Sequence, residues 1–393
     1  MSAGTAAPPN PGARFAALFA VTFLGLVAVG SVLPVLPRYV RGPMGAGDVA
    51  VGVVIGSYAL TGLLLRPVAG RLADRWGRRP TVVLGCVLLV ASALMIFPDL
   101  GIPGLIGSRF LLGIGEGALY TAGSAWIVDM APLARRGRVL GLYGLAVWGG
   151  LSVGPLLGEL LLQEGGYRAV WTLAAALPLA GAAIAALTSD PFRPHTHAEP
   201  HPLIAPEAVR PGLVIALASV GYATLAAFIV LMLEERGVGH GATVFAAFAA
   251  MIVVARLVAG DLPDRVGPAP VAVGATLVEA AGLLTVAVAG SLPVALAGAM
   301  AMGAAFSLLN PSLMLIAVGR VSEAARGAAM GTYTAFFDAG IGIGAPLAGL
   351  AAALTSYEGA FLLAAATVLC ATAMVLATLH RRGDRAPHPV TGG

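Results

Sequence analysis

Residues 66–80 read Arg66-Pro-Val-Ala-Gly-Arg-Leu-Ala-Asp-Arg-Trp-Gly-Arg-Arg-Pro80, and residues 256–270 read Arg256-Leu-Val-Ala-Gly-Asp-Leu-Pro-Asp-Arg-Val-Gly-Pro-Ala-Pro270. Nine of the fifteen positions agree at a constant offset of 190. The same shift lays Gly113 on Gly303, Arg136-Gly137 on Arg326-Gly327, Tyr143 on Tyr333, Gly150 on Gly340 and Gly154 on Gly344. Ala/Gly-rich helices match one another by chance at scattered positions. Chance does not put Asp-Arg-x-Gly between corresponding apolar runs in both halves, so the chain reads as one unit written twice.

The 393 residues are 58% AVILMFWYC with 53 glycines, and only 11% are charged. A soluble domain carries about 25% charged residues. With a mean hydropathy of +0.91, the chain has lipid as its main solvent. Soluble enzyme, disordered chain and disulfide-stapled secreted domain are excluded. All 23 cations are arginine, and they cluster at the ends of apolar runs, which argues against a nucleic-acid partner. Cys86 and Cys370 lie inside apolar runs and read as packing residues. His195, His197 and His201 share one Pro-rich stretch, and no metal-ligand set is expected.

A span needs about 20 residues. The apolar runs predict spans near 15–37, 49–70, 81–98, 103–129, 138–162 and 169–188, then 212–233, 242–260, 270–289, 293–318, 327–353 and 359–379. The expected organisation is a disordered tail over 1–13, a six-helix half over 14–189, a linker over 190–211, a second half over 212–380 and a tail over 381–393. Sixteen arginines fall in segments on the side of the termini, four on the other side, and Arg66, Arg109 and Arg256 lie within spans. By the positive-inside rule both termini are cytoplasmic. The fold class expected is an all-α polytopic membrane protein. Its twelve transmembrane helices form two six-helix halves, related by a pseudo-two-fold axis along the membrane normal. Such halves place a binding site between them near the midplane, a design for alternating access.

At these residues the chain resembles the major facilitator superfamily over essentially its whole length. Gly70-Arg-Leu-Ala-Asp74-Arg75-Trp-Gly77-Arg78-Arg79 matches in full the family's signature loop between spans 2 and 3. Arg109-Phe-Leu-Leu-Gly113 is similar to its span 4 motif. Gly150-Leu-Ser-Val-Gly154-Pro155-Leu-Leu-Gly158 resembles the Gly/Pro motif of its drug–proton antiporters, although Glu159 stands where that motif ends in glycine. The resemblance implies a secondary transporter of the membrane, not an enzyme. It implies proton-coupled efflux of a small amphipathic drug or metabolite, with the proton gradient as energy source and no cofactor. An importer or uniporter stays open, and a polytopic membrane enzyme is a remote alternative. The expected partners are substrate, protons and the bilayer, and the protein is expected to work as a monomer.

Site residues follow from buried charge. Arg109 and Glu116 are seven apart on one helix, so they share a face about 10.5 Å apart along the axis. A charge at the bilayer centre costs about 2.5–3.5 kcal/mol on insertion scales, and neither residue has a charged counterpart at offset 190. Glu116 is therefore the leading proton-coupling candidate and Arg109 its modulator. A packing ion pair and substrate contact stay open. Asp338 lies about 18 Å into span 11 and is the second coupling or substrate candidate. Glu279, in span 9, reads as structural or facing the bundle interior, and Glu159 as snorkelling to the outer surface.

In the signature loop Asp74 is expected to be paired. The resemblance implies a conformational latch that breaks on inward opening, with Asp129 as partner of Arg78; a pure topology signal is the other reading. Gly150, Gly154 and Gly158 make a flat stripe for close helix approach. With Pro155 they suit a stiff, bent gate helix. Tyr58, Tyr120, Trp126, Trp148, Tyr222 and Phe337 are candidate cavity aromatics. Few charges and several aromatics would suit a lipophilic or weakly cationic substrate.

Overall fold

In lipid a helix alone satisfies its own backbone hydrogen bonds, and the apolar runs become helices. The computed structural model describes residues 11–132, 136–190, 205–319, 321 and 326–383. Its elements are α1 (Pro11–Val32), α2 (Val35–Arg41), α3 (Asp48–Trp76), α4 (Arg78–Leu94), α5 (Gly101–Met130), α6 (Arg136–Leu187), α7 (Pro206–Glu235), α8 (Gly241–Ala259), α9 (Leu262–Val266), α10 (Pro268–Ala287), α11 (Leu292–Val318), α12 (Arg326–Leu354) and α13 (Tyr357–Gly383). No strand occurs among the described residues.

Nine stretches among the described residues are long and apolar enough to span a bilayer. One of them contains two spans. The 52 residues of α6 break at Gly166, whose φ of 67° no helix contains, and the two arms are spans 5 and 6. The 17-residue α4 is span 3. α5, whose hydropathy Arg109 and Glu116 depress, is span 4. With α1 and α2 together as span 1 and α9 a short extension of span 8, the count is twelve.

Several expected boundaries shift. α1 begins at Pro11, inside the expected tail, and α7 begins at Pro206, inside the expected linker. α13 runs to Gly383, into the expected C-terminal tail. Residues 1–10, the linker residues 191–204 with their three histidines, and 384–393 lie outside the described residues. The backbone of α6 stays helical at Pro155 and breaks at Gly166.

The offset of 190 reappears as geometry. Gly77 and Gly267, mates in the repeat, adopt φ of 107° and 101°, a region that only glycine enters freely. Each turns the chain from one span into the next. Gly113 packs on the backbone of Tyr58, and its mate Gly303 on that of Phe248, which is 190 residues beyond Tyr58. A β-carbon on Gly154 would lie 2.8 Å from Gly30 Cα, and one on Gly344 would lie 3.0 Å from the Cα of Val220, the mate of Gly30. Ser92 and Ser108 lock α4 to α5 by reciprocal hydroxyl–carbonyl bonds of 2.8 Å. Their mates Gly282 and Gly298 meet backbone to backbone in the second half.

The halves meet along two equivalent seams, α3 against α12 and the first arm of α6 against α8. Calling the side of the chain ends the terminal face, the contacts between halves lie toward the opposite, far face. Tyr357 donates to Asp48 Oδ1 at 3.0 Å, Ser152 to the carbonyl of Ala246 at 3.4 Å, and Arg38 to Glu234. On the terminal side, β-carbons on Gly141, Gly144, Gly327 and Gly331 would meet nothing within 4 Å. The contacts between the halves thus gather toward the far face, and these four glycines on the terminal side have open space beside them.

Candidate functional site

Where the seam contacts end, one ion pair joins the halves. Arg66 of α3 holds Asp338 of α12 by two bonds, Nε to Oδ2 at 2.6 Å and Nη2 to Oδ1 at 3.0 Å. Asp338 is 2% exposed, and the planar fork of arginine suits this bidentate grip. Two glycines flank it, and a β-carbon on Gly62 or Gly117 would make only ordinary contact, 3.5 Å from Asp338 Oδ2 and 3.6 Å from Arg66 Cγ. The guanidinium carbon of Arg66 also lies 6.0 Å from the centre of the Tyr120 ring.

Glu116 lies within electrostatic reach of both members of this pair. It lines a cavity with Tyr58, Arg109 and Tyr222, and it makes no ion pair within the described residues. Arg109 does not meet it. Arg109 is 3% exposed, its Nε is buried without a hydrogen-bond partner, and no carboxylate lies within 4 Å of it among the described residues. In this conformation the arginine beside the acids is Arg66, and no direct contact stands behind the expected modulation of Glu116 by Arg109. Two residues seven apart on one helix share a face but remain two turns apart, whereas Arg66 comes from a neighbouring helix at the same depth.

The aromatic candidates divide. Tyr58 and Tyr222 line the cavity. Trp148 crosses from the first half into a nest of the second, edge-on to Tyr222, Phe248 and Phe306 at 6.2, 6.2 and 5.7 Å, and Phe337 extends the nest at 6.0 Å from Phe306. Tyr120 stacks on Tyr143 at 6.1 Å and is 39% exposed. Trp126, at 1% exposure, belongs to the core of the first half rather than to a cavity wall. The Gly150, Gly154 and Gly158 stripe packs on α1, against Val27, Gly30 and Ser31. It closes the first half on itself, not the seam between halves. Glu279 is buried at 1% exposure with Oε2 unpartnered, facing Gly221 of α7.

In the signature loop Arg78 donates to Asp74 at 2.6 Å and to Asp129 at 3.0 Å. Gly70 and Gly77 bracket this stretch, and Arg75 makes no ion pair there. The cluster ties α3, α4 and α5 within one half. The cluster is intact in this conformation. The second half lacks it, since Pro268 and Gly319 stand at the mates of Arg78 and Asp129; Arg265 pairs there with Asp261. Asp74 and Asp129 are 54% and 45% exposed at their side chains, where an ion pair is worth about 0–1 kcal/mol. Asp74→Asn is therefore expected to fold and insert normally and to slow turnover in an uptake assay. Wild-type turnover in a well-expressed variant would leave the cluster a packing role only.

Arg38 and Glu234, which the sequence reading left unassigned, meet at the far face beside Glu159. Arg38 of α2 bonds Glu159 of α6 at 2.5 Å and Glu234 of α7. Glu159 is thus an ion-pair partner and not a free snorkelling acid.

Two six-span halves of one topology, in contact toward one face and joined by an intramembrane ion pair, have the architecture of a membrane transporter. The family model of the Major Facilitator Superfamily matches residues 18–262 and again 212–392. The chain is 34% identical over 366 residues to an uncharacterized MFS-type transporter of Salmonella typhimurium, covering 91% of this chain and 94% of the relative. It is 32% identical over 401 residues to one of Burkholderia mallei, covering 98% of each. The chain belongs to the major facilitator superfamily. Solved structures of similar fold include a bacterial homologue of the human lysosomal transporter Spinster, inward-facing and unoccupied (TM-score 0.79, 16% identity, 98% of this chain and 100% of that one). The nucleoside transporter NupG is another (TM-score 0.78, 14% identity, 93% and 99%).

Proposed function

We propose that the chain is a proton-coupled exporter of a small amphipathic molecule, working as a monomer. The Arg66–Asp338 pair carries this reading. An ionised acid held by an arginine across the seam fixes one half to the other. Sixteen arginines against four support a cytoplasmic terminal face, the side away from the contacts between the halves and the side where an exporter loads. A proton arriving at Asp338 converts the carboxylate to a neutral acid and frees Arg66 to turn toward Glu116. Substrate in the cavity competes for the same arginine. Either one loosens the seam, while the empty, paired site resists crossing, and that asymmetry is what couples the two flows. The Gly/Pro stripe of α6 supports export over import through its antiporter resemblance.

Proteoliposomes holding a pH-sensitive dye, screened against a panel of amphipathic compounds, are expected to show protons moving opposite to the compound. Movement in the same direction makes the protein a symporter, and compound flux without protons makes it a uniporter. Orientation is read by single cysteines in a background lacking Cys86 and Cys370: His197→Cys is expected to label only from the cytoplasm and His240→Cys only from outside.

A further inference from the structure

Arg256 is the repeat mate of Arg66, and it has no acid. At the α3–α12 seam Arg66 meets Asp338. At the equivalent seam the mate of Asp338 is Trp148, whose ring is engaged by the aromatic nest of the second half. Arg256 makes no ion pair and no hydrogen bond within the described residues. It is half-buried, at the terminal side of the seam, and within electrostatic reach of Tyr120, the same exposed ring that Arg66 approaches. Arg66 and Arg256 are thus both near Tyr120, and Asp338 is held by Arg66. With Asp338 committed to Arg66, the guanidinium of Arg256 is left without a counter-charge among the described residues. Arginine cannot shed its proton to relieve this, and a half-buried charge without a partner is costly to keep.

We infer that the substrate supplies the missing anion: an amphipathic carboxylate whose acid group binds Arg256 and whose apolar body lies against Tyr120 and the Trp148 nest. The inference rests on the cavity being the transport path. It replaces the weakly cationic substrate expected from the sequence with an anionic one, and it explains why a fold built twice keeps its arginine twice but its aspartate once.

The test uses three probes of one skeleton, 1-naphthylacetate, 1-naphthylacetamide and 2-(1-naphthyl)ethylamine, binding to the purified full-length protein by calorimetry at pH 7. The wild type is expected to bind the anion about tenfold or more tightly than the amide or the amine, the size of a charge-assisted hydrogen bond. Arg256→Gln is expected to erase that preference while leaving amide affinity within about twofold, and Arg256→Lys to retain part of it. Failure of the wild type to bind the anion, an equal or better affinity for the amine, or an anion preference that survives Arg256→Gln overturns the inference. If Arg256→Gln does not fold, wild-type selectivity and Arg256→Lys still decide. No gradient is present, so a failure of proton coupling leaves this measurement unaffected, and a failure of anion selectivity leaves the coupling assay unaffected.

Discussion

Asp338→Asn is expected to abolish pH-gradient-driven flux in proteoliposomes while preserving counterflow, the exchange of labelled for unlabelled substrate without a gradient. The amide copies the shape of the protonated acid and cannot ionise. The seam is then permanently loosened: the halves still rock with substrate bound, but no proton is taken up or released at this position. Arg66→Gln attacks the same pair from its other side and is expected to be worse. It leaves the carboxylate of Asp338, 2% exposed, without a counter-charge, and removing one partner of a buried pair costs about 3–5 kcal/mol. Counterflow should therefore fall together with gradient-driven flux, and thermal stability should fall as well. Glu116→Gln removes an acid that lies near Arg66 but does not hold it, so a partial loss of coupling is expected. On this reading Asp338 is expected to come before Glu116, the reverse of the order read from the sequence. Retained gradient-driven flux in Asp338→Asn with loss in Glu116→Gln would restore that order.

The reason for the reversal shows where the sequence stops being informative. Asp-Arg-x-Gly at offset 190 announces two equivalent corners, and the structure supplies them as two glycines with φ near 100°. A local backbone requirement is legible because it constrains the residue at its own position. The Arg78–Asp129 contact was implied by family resemblance and is present. Arg66–Asp338 joins residues 272 apart, and no periodicity links them. Reading along one helix paired Arg109 with Glu116 because they share a face, but sharing a face places side chains in the same cavity and not in contact. The signal that could have found Arg66 was in the repeat itself: two arginines shared by the halves, both inside spans, with an intramembrane acid, Asp338, in the second half that has no charged mate in the first. Trp126 misled for the opposite reason. An aromatic in an apolar span has the same sequence signature whether it lines a cavity or fills a core, and the difference lies in neighbours that only packing brings together.

The far face offers the second large effect. Arg38 lies between two carboxylates, Glu159 of its own half and Glu234 of the other, and the Arg38–Glu234 bond is an ion pair that must part when the far face opens. With Arg38 and Glu234 15% and 39% exposed at their side chains, the pair is screened, and about 1 kcal/mol is a reasonable worth. Glu234→Gln is accordingly expected to raise the ratio of far-face-open to closed molecules about fivefold. Glu159→Gln removes only the bond within the half and should change the ratio little. Arg38→Gln should exceed both, because it deletes the bridge and leaves two carboxylates facing each other across the seam, a like-charge contact that favours opening. Spin labels at Glu164→Cys and His240→Cys, on far-side turns of the two halves, read this ratio as the weight of a longer distance. The order Arg38→Gln, Glu234→Gln, Glu159→Gln is the decisive observation. Equal shifts in the two glutamate variants would place the control in the orientation of α2 and not in the bond between halves. No shift in any of them would mean that the glycine contacts of Gly52 and Gly56 on Ala345 and Pro346 hold the far face closed without help from charge.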